Sequence, residues 1–167
     1  MDTKQFNDFQ QVIQWVVDEA RRKEAEDLAA ADDVLLPPTD LVHNQNYWGY
    51  GKVTDTRIPI KPNSVFGKSV EEVQMVCPTA CCVAGHVVVR HGDQMVAGVQ
   101  ITRDSVSADY CVDEDGRVHS IPDRAQDLLG ISSSESSTLF DGDNDADDVV
   151  DKAMDIADAY GYELTVI

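Results

Sequence analysis

Residues 77–91 read CPTACCVAGHVVVRH, and this stretch decides the fold that the sequence predicts. From Thr79 to His91 it consists largely of small and β-branched residues, and a helix that is apolar all round is buried all round. We therefore predict a central helix over 79–91, preceded by a helical segment over 69–75. Around it, residues 1–167 are predicted to form a helix-dominated single domain of the α+β class with a small antiparallel β-sheet.

Upstream of this stretch, the chain divides into an amphipathic helix and a segment rich in helix breakers. Apolar residues recur at three- and four-residue steps from Phe6 to Ala20, which predicts an N-terminal helix over 3–30. Residues 36–63 hold four of the chain's six prolines and the aromatic residues Tyr47, Trp48 and Tyr50. We expect a long ordered loop there, with short strands allowed near 52–60, because an unstructured connection of this length is unusual in a compact domain.

Downstream, residues 69–167 are predicted to form a helical core with a β-hairpin near 110–121. Asp115-Gly116 supplies the positive φ of the hairpin turn. A short helix is expected from Pro122 to the cap at Gly130, followed by a serine-capped helix that ends near Phe140. A last helix is expected over 145–160.

The chain is strongly acidic, and the charge is uneven. Its formal net charge is -18: residues 1–103 hold 14 acids and 10 bases, whereas residues 104–167 hold 17 acids and 3 bases. Such a surface repels phosphate backbones and anionic membranes, so direct nucleic-acid or membrane binding is disfavoured, whereas basic partners and cations remain compatible. Residues 1–8 lack the basic start and apolar run of a signal peptide, so we expect a cytoplasmic protein with its cysteines as thiols.

Cys82 and His86 form the densest candidate for chemistry. On a helix they would lie one turn apart on the same face, where a thiol at the helix start could be activated by an imidazole. Cys77, Cys82 and His86 also have the residue types of a zinc site, but the paired short knuckles of zinc motifs are missing. The alternative is that these small residues permit close helix packing, and this interpretation is favoured; no cofactor or metal is predicted.

The acidic run from Asp141 to Asp148 has the first part of a calcium-loop pattern and then departs from it. An EF-hand loop needs glycine at its sixth position and glutamate at its twelfth, where this chain has Ala146 and Lys152. Asn144 or Asp145 is better explained as the cap of the last helix. For partner binding, the candidates are the aromatic residues of the loop and three acids: Tyr47, Trp48, Tyr50, Asp143, Asp147 and Asp151.

Two segments resemble a family of small uncharacterised proteins of actinobacteria and their phages, particularly mycobacteriophages. The first family segment reads C-G-T-x-x-C-x-A-G-[HW], and the chain departs from it at Pro78. The second reads R-A-x-x-L-L-G-[LI] followed by L-F. The matching residues are Cys77, Thr79, Cys82, Ala84, Gly85 and His86, then Arg124, Ala125, Leu128, Leu129, Gly130, Ile131, Leu139 and Phe140. The resemblance implies a phage or actinobacterial origin and transfers no catalytic residue.

Three hypotheses about function follow. The first is a non-enzymatic phage accessory protein that binds a host or phage protein in the host bacterial cytoplasm and modulates the host or is toxic to it. The second is an acidic DNA mimic that inhibits a host nucleic-acid-binding protein. The third is a Cys/His-dependent or metal-dependent enzyme centred on Cys82 and His86. A homodimer is compatible with each of them.

Overall fold

The computed structural model describes residues 1–31, 41–97 and 105–167, and these residues form an α+β fold. Five helices and a curled mixed sheet of seven strands are seen in these ranges. The helices are α1 Thr3–Ala31, α2 Val83–Arg90, α3 Ile121–Leu129, α4 Ser133–Leu139 and α5 Ala146–Ala159. The strands are β1 Val42–His43, β2 Tyr50–Pro59, β3 Glu72–Cys81, β4 Gln94–Ala97, β5 Ser105–Ser107, β6 Tyr110–Val112 and β7 Val118–Ser120.

The sheet follows the order β5-β2-β3-β4-β6-β7, in which every neighbouring pair is antiparallel. The short strand β1 adds a parallel pairing to β3, with Val42 opposite Ala80 and His43 opposite Cys81. The α+β class is therefore confirmed, but the sheet is larger than predicted and is mixed. Two register shifts in the pairing of β2 with β3, between Tyr50 and Gly51 and between Val53 and Arg57, add to the curvature of the sheet.

Residues alternate between the two faces of the sheet, and each face has its own apolar cluster. Along β4 and β6, Met95 and Cys111 face the helices, whereas Val96 and Val112 face the opposite side. This is the two-residue period of a strand. The larger cluster joins the sheet to α1, α2, α3 and α5, and the smaller one lies under Phe66 and Val70 of the connection between β2 and β3.

The central helix predicted over 79–91 is wrong in its first part, and the helix predicted over 69–75 is a strand. Strand β3 runs from Glu72 through Cys81, and α2 begins only at Val83. Pairing with β2 along most of its length holds β3 extended. β-branched residues such as Val73 and Val76 suit a pleated surface, so tertiary pairing decides between the two structures that the apolar run permits.

Other predicted elements are confirmed. α1 matches the predicted N-terminal helix, and β6 and β7 form the hairpin, with Gly116 at φ 78° in its turn. Gly130 ends α3 at φ 65° and Ser132 caps α4. In the predicted loop 36–63, residues 36–40 lie outside the described residues, and the remainder contains β1 and β2. Within the described ranges, no helix combines the length and apolarity that a membrane span requires.

Candidate functional site

The first turn of α2 is built against residues 44–50, which we call the aromatic loop. The N–H of Asn44 donates to the carbonyl oxygen of Cys81 at 2.8 Å, and the N–H of Cys82 donates to that of Tyr47 at 2.7 Å. A Cβ on Gly85 would overlap the carbonyl oxygen of Trp48. The glycine of the AGH segment is therefore required because the loop backbone crosses directly over the helix.

Gln45 joins this loop to two helices. Its side-chain amide donates to the carbonyl oxygen of Leu139 at 3.0 Å, at the end of α4. Its Oε1 accepts from the N–H of Val83 at 3.4 Å and lies 3.2 Å from Nε2 of His43. The residue is buried, with its polar atoms satisfied by distant segments. Sequence reasoning missed Gln45, since a polar residue in a loop carries no signal of burial.

A cluster of three rings lies beside Gln45 and joins α1, β1 and α2. The imidazole of His86 stacks on Trp15 with ring centroids 3.8 Å apart and planes 4° from parallel, and His43 meets Trp15 edge-on at 5.4 Å. The Nδ1 atom of His86 is buried without a hydrogen-bond partner. Trp15 and His43 were not predicted as site residues; Trp15 sits inside an amphipathic helix and its stacking partner comes from 71 residues away.

Both imidazoles favour the neutral form. Burial, with Arg90 and His43 nearby, lowers the pKa of His86 to about 4, and Glu19 opposes this only in part. Burial also lowers the pKa of His43, against the opposing effect of its contact with Gln45. Removing a cationic ring from water disfavours its charged form.

Cys82 lies at the N-cap of α2, with no exposed surface. Burial raises the pKa of its thiol to about 11, although the N–H groups of Gly85 and Ala84 act in the opposite direction. Burial likewise raises the pKa of Cys81. A neutral, buried thiol and an imidazole that resists protonation have the reverse of the properties of an activated nucleophile and its base.

The expected helical position of Cys82 is wrong, because Cys82 is the N-cap residue directly before α2; the N–H of His86, one turn later, donates to the Cys82 carbonyl oxygen at 3.0 Å. The His86 ring itself stacks on Trp15. Cys77 lies exposed on β3. Among the residues that the structure describes, no group of three or more His, Cys, Asp or Glu side chains could hold a metal ion. The contacts of Cys82 and His86 favour the packing interpretation.

The candidate partner-binding residues divide into exposed and half-buried positions. Tyr47 and Tyr50 are each 40% exposed, and their rings lie 5.3 Å apart. Trp48 is half-buried and packs against the main core, as expected of a core residue. Asp143, Asp147 and Asp151 are exposed. Two neighbouring tyrosines with this exposure form an aromatic pair at the protein surface.

Folding brings the aromatic loop that carries this pair next to the acidic turn, which we define as residues 141–145. A Cβ on Gly142 would lie in ordinary contact with the backbone of Gln45 and Asn46, at 3.7 and 3.9 Å. The two segments are almost one hundred residues apart in sequence. The structure therefore joins the two candidate segments into one surface region, which the sequence did not predict.

Helix α5 explains part of the acidic run. Asp145 caps the helix through the N–H of Asp148, whose side chain in turn accepts from the N–H of Asp145. Asn144 is buried and donates to the carbonyl oxygens of Thr138 and Leu139, while Lys152 donates to its Oδ1. These contacts confirm the cap and show that Asn144 serves to hold the turn.

A cleft of about 680 Å³ separates α1 from the acidic turn. Its walls mix charges of both signs, and Arg22 is already paired with Glu19 and Glu26 on the same helix. The lining includes Glu19, Arg22, Lys23, His43, Gln45 and Asp145. Its mixed charge points to no single class of small molecule.

Comparison of the chain with models of protein families, with curated proteins and with solved structures gives no match.

Proposed function

We propose that this protein is a non-enzymatic accessory protein that binds another protein through a surface composed of the aromatic loop and the acidic turn. The observation that carries the proposal is the closeness of Gly142 to Gln45 and Asn46, which brings the aromatic loop against the acidic turn; the loop's Tyr47 and Tyr50 are exposed. Tyrosine is enriched among the residues that dominate binding energy at interfaces.

Charge supports a partner with a basic surface. Residues 104–167 carry 17 acids against 3 bases, and Asp143, Asp147 and Asp151 of the turn and of α5 are exposed. Complementary charge accelerates encounter, while a central aromatic contact supplies the short-range energy. An aromatic pair beside carboxylates is thus suited to a partner that presents arginine or lysine next to apolar surface.

The resemblance to small proteins of actinobacteria and their phages supplies the biological setting of the proposal. The protein then acts in the cytoplasm of the host bacterium, on a host or phage protein, and modulates the host or is toxic to it. The burial of Cys82 and the stacked, neutral state favoured for His86 argue for binding in place of Cys/His chemistry.

The test is affinity capture of the tagged protein from an actinobacterial lysate, with the Tyr47→Ala/Tyr50→Ala double variant in parallel. We expect a specific protein retained at moderate salt by the unchanged chain, and binding at least about tenfold weaker for the variant, because loss of a hot-spot pair costs more than about 1.4 kcal/mol. Asp143→Asn/Asp147→Asn should slow association mainly at low salt.

The matched control is Val65→Ser, which removes another exposed apolar side chain away from the aromatic loop. Binding that is equally weak in the control, or equally strong in the tyrosine variant, contradicts the proposed surface.

A second candidate is a DNA mimic, and the spacing of acids on α5 favours it. Asp147, Asp148, Asp151, Asp155 and Asp158 are all exposed, opposite the buried face of the helix. With about 1.5 Å of rise per residue, they place a charge every ~4 Å, close to the ~3.4 Å per phosphate of one DNA strand.

Mimicry predicts competition with DNA for basic nucleic-acid-binding proteins, lost steeply as salt rises. Asp151→Asn/Asp155→Asn should weaken that competition, whereas Tyr47→Ala/Tyr50→Ala should leave it unchanged. The reverse pattern supports the first candidate.

A further inference from the structure

His86 is held in an arrangement that favours its neutral form. One face of its ring lies on Trp15, and its Nδ1 is buried without an acceptor to which a proton there could be donated. Trp15 is also contacted edge-on by His43, so that two imidazoles from different elements share one indole. A buried N–H without a partner is costly, and a buried imidazolium more so.

We propose that Trp15, His43 and His86 form a proton-sensitive latch, which holds the first turn of α2 against α1 and β1 while both imidazoles are neutral and releases it when they take up protons. Two like charges would then contact the same indole ring, one on its face and one edge-on. Release lets both rings reach water.

The charged groups around the latch do not remove this effect. From α1, Glu19 favours the protonated rings and Lys23 opposes protonation of His43; from α2, Arg90 opposes protonation of His86. Glu19 is already engaged by Arg22, which limits the help that it gives to an imidazolium. Burial is the largest influence on both rings and lowers both pKa values.

Release would reach the aromatic loop through direct contacts. His86 follows Gly85, on which the backbone of Trp48 rests, and the Cys82 N–H that begins the turn donates to Tyr47. His43 contacts Gln45, which also accepts from the N–H of Val83. Loosening of α2 therefore frees the loop that carries Tyr47 and Tyr50.

The test is amide hydrogen exchange of the free protein, followed residue by residue with NMR between pH 7.5 and pH 5 and corrected for the intrinsic pH dependence of exchange. Staying above pH 5 keeps the chain clear of its pI near 4.2, where it would lose solubility. For a ring whose pKa rises from about 4 when latched to its ordinary value near 6.5 when released, opening grows about thirtyfold over this range. The amides of Cys82 and Val83 should lose protection to that extent, while Ile156 in α5 should not.

His86→Phe keeps a ring on Trp15 but cannot take up a proton, so its Cys82 amide should stay protected at pH 5. His119→Gln, which removes a histidine outside the latch, is the matched control and should behave like the unchanged chain. If His86→Phe does not fold, His43→Phe serves instead and should show a smaller acid response. Equal acid responses in the unchanged chain and in the folded latch variant, or no response in the unchanged chain, would overturn the latch.

The latch bears on the proposed function by regulating access to Tyr47 and Tyr50, yet the exchange measurement needs no partner. A failed latch with intact tyrosine-dependent capture leaves the binding proposal standing, and a working latch without capture leaves the latch standing.

Discussion

The start of α2 and the three C-terminal helices are stabilised in different ways. Each C-terminal helix is capped by its own neighbours in sequence: Ser120 for α3, Ser132 with Glu135 for α4, and Asp145 with Asp148 for α5. The N-cap of α2 is Cys82, whose side chain makes no capping hydrogen bond. Its first turn is held by Tyr47, Gln45 and Trp48, roughly forty residues earlier in the chain.

A helix end can be fixed by residues next to it in sequence or by a distant segment that packs against it. Side-chain caps satisfy the first N–H groups of a helix wherever the helix packs. At α2 the aromatic loop performs that task, so this helix end exists only when the loop is in place. Substitutions at the start of α2 should therefore lower the free energy of unfolding more than equivalent substitutions at the caps of α3, α4 and α5.

The largest effect is expected from Gly85→Ala. In most helices this change stabilises by about 1 kcal/mol, because alanine is the better helix former. Here the new Cβ would overlap the carbonyl oxygen of Trp48, and neither backbone can yield without breaking the contact between loop and helix. We expect a loss of about 4 kcal/mol in the free energy of unfolding, measured by urea denaturation followed by circular dichroism.

Gly142→Ala is the matched control. Its Cβ would lie at ordinary contact distance from Gln45 and Asn46, so the free energy of unfolding should change by less than about 0.5 kcal/mol. A Gly85→Ala protein as stable as the control would mean that the loop does not hold α2 as described.

The same contrast explains what the sequence could and could not predict. The caps at Gly130, Ser132 and Asp145 depend on residues close together in sequence, so the sequence predicts the corresponding helices correctly. The strand from Glu72 to Cys81 was missed because its extended form depends on pairing with β2. Of the candidate site, Tyr47 and the acids could be named, but the contact between the aromatic loop and the acidic turn and the ring cluster on Trp15 arise only from tertiary packing.

An intermediate loss of stability is expected from substitution of Arg124, which links α3 to Asp93, just after the end of α2. Its guanidinium donates to both carboxylate oxygens of Asp93, at 2.6 and 3.2 Å, and the Asp93 side chain is only 3% exposed. Arg124→Met keeps much of the side-chain volume and leaves that carboxylate buried without its partner. We expect a loss of about 3 kcal/mol in the free energy of unfolding, also measured in urea.

Arg117→Met is the control for Arg124, since Arg117 is 59% exposed, pairs with exposed Asp115 at 2.7 Å and reaches Asp113 only at 3.9 Å. Exposed pairs of this kind contribute less than about 1 kcal/mol. Similar losses for the two arginine variants would show that Asp93 reaches water readily and that the pair does not join α3 to the end of α2.

The smallest effect is expected from Ser132→Ala, which removes a purely local cap. The Ser132 hydroxyl accepts from the N–H of Glu135 at 3.3 Å, and the Glu135 carboxylate accepts from the N–H of Ser132 at 2.6 Å. Loss of one half of this capping box should cost about 1 kcal/mol in urea denaturation. Ser137→Ala, an exposed substitution inside the same short helix, should be neutral or slightly stabilising.

A loss above about 2 kcal/mol for Ser132→Ala would mean that a change in α4 also disturbs the aromatic loop, since the carbonyl oxygen of Leu139 holds the Gln45 side chain. The stability of α4 would then depend on tertiary contacts as well as on its own cap. In a Gln45→Leu background, where that contact is absent, we would expect Ser132→Ala to lose only the roughly 1 kcal/mol of the cap.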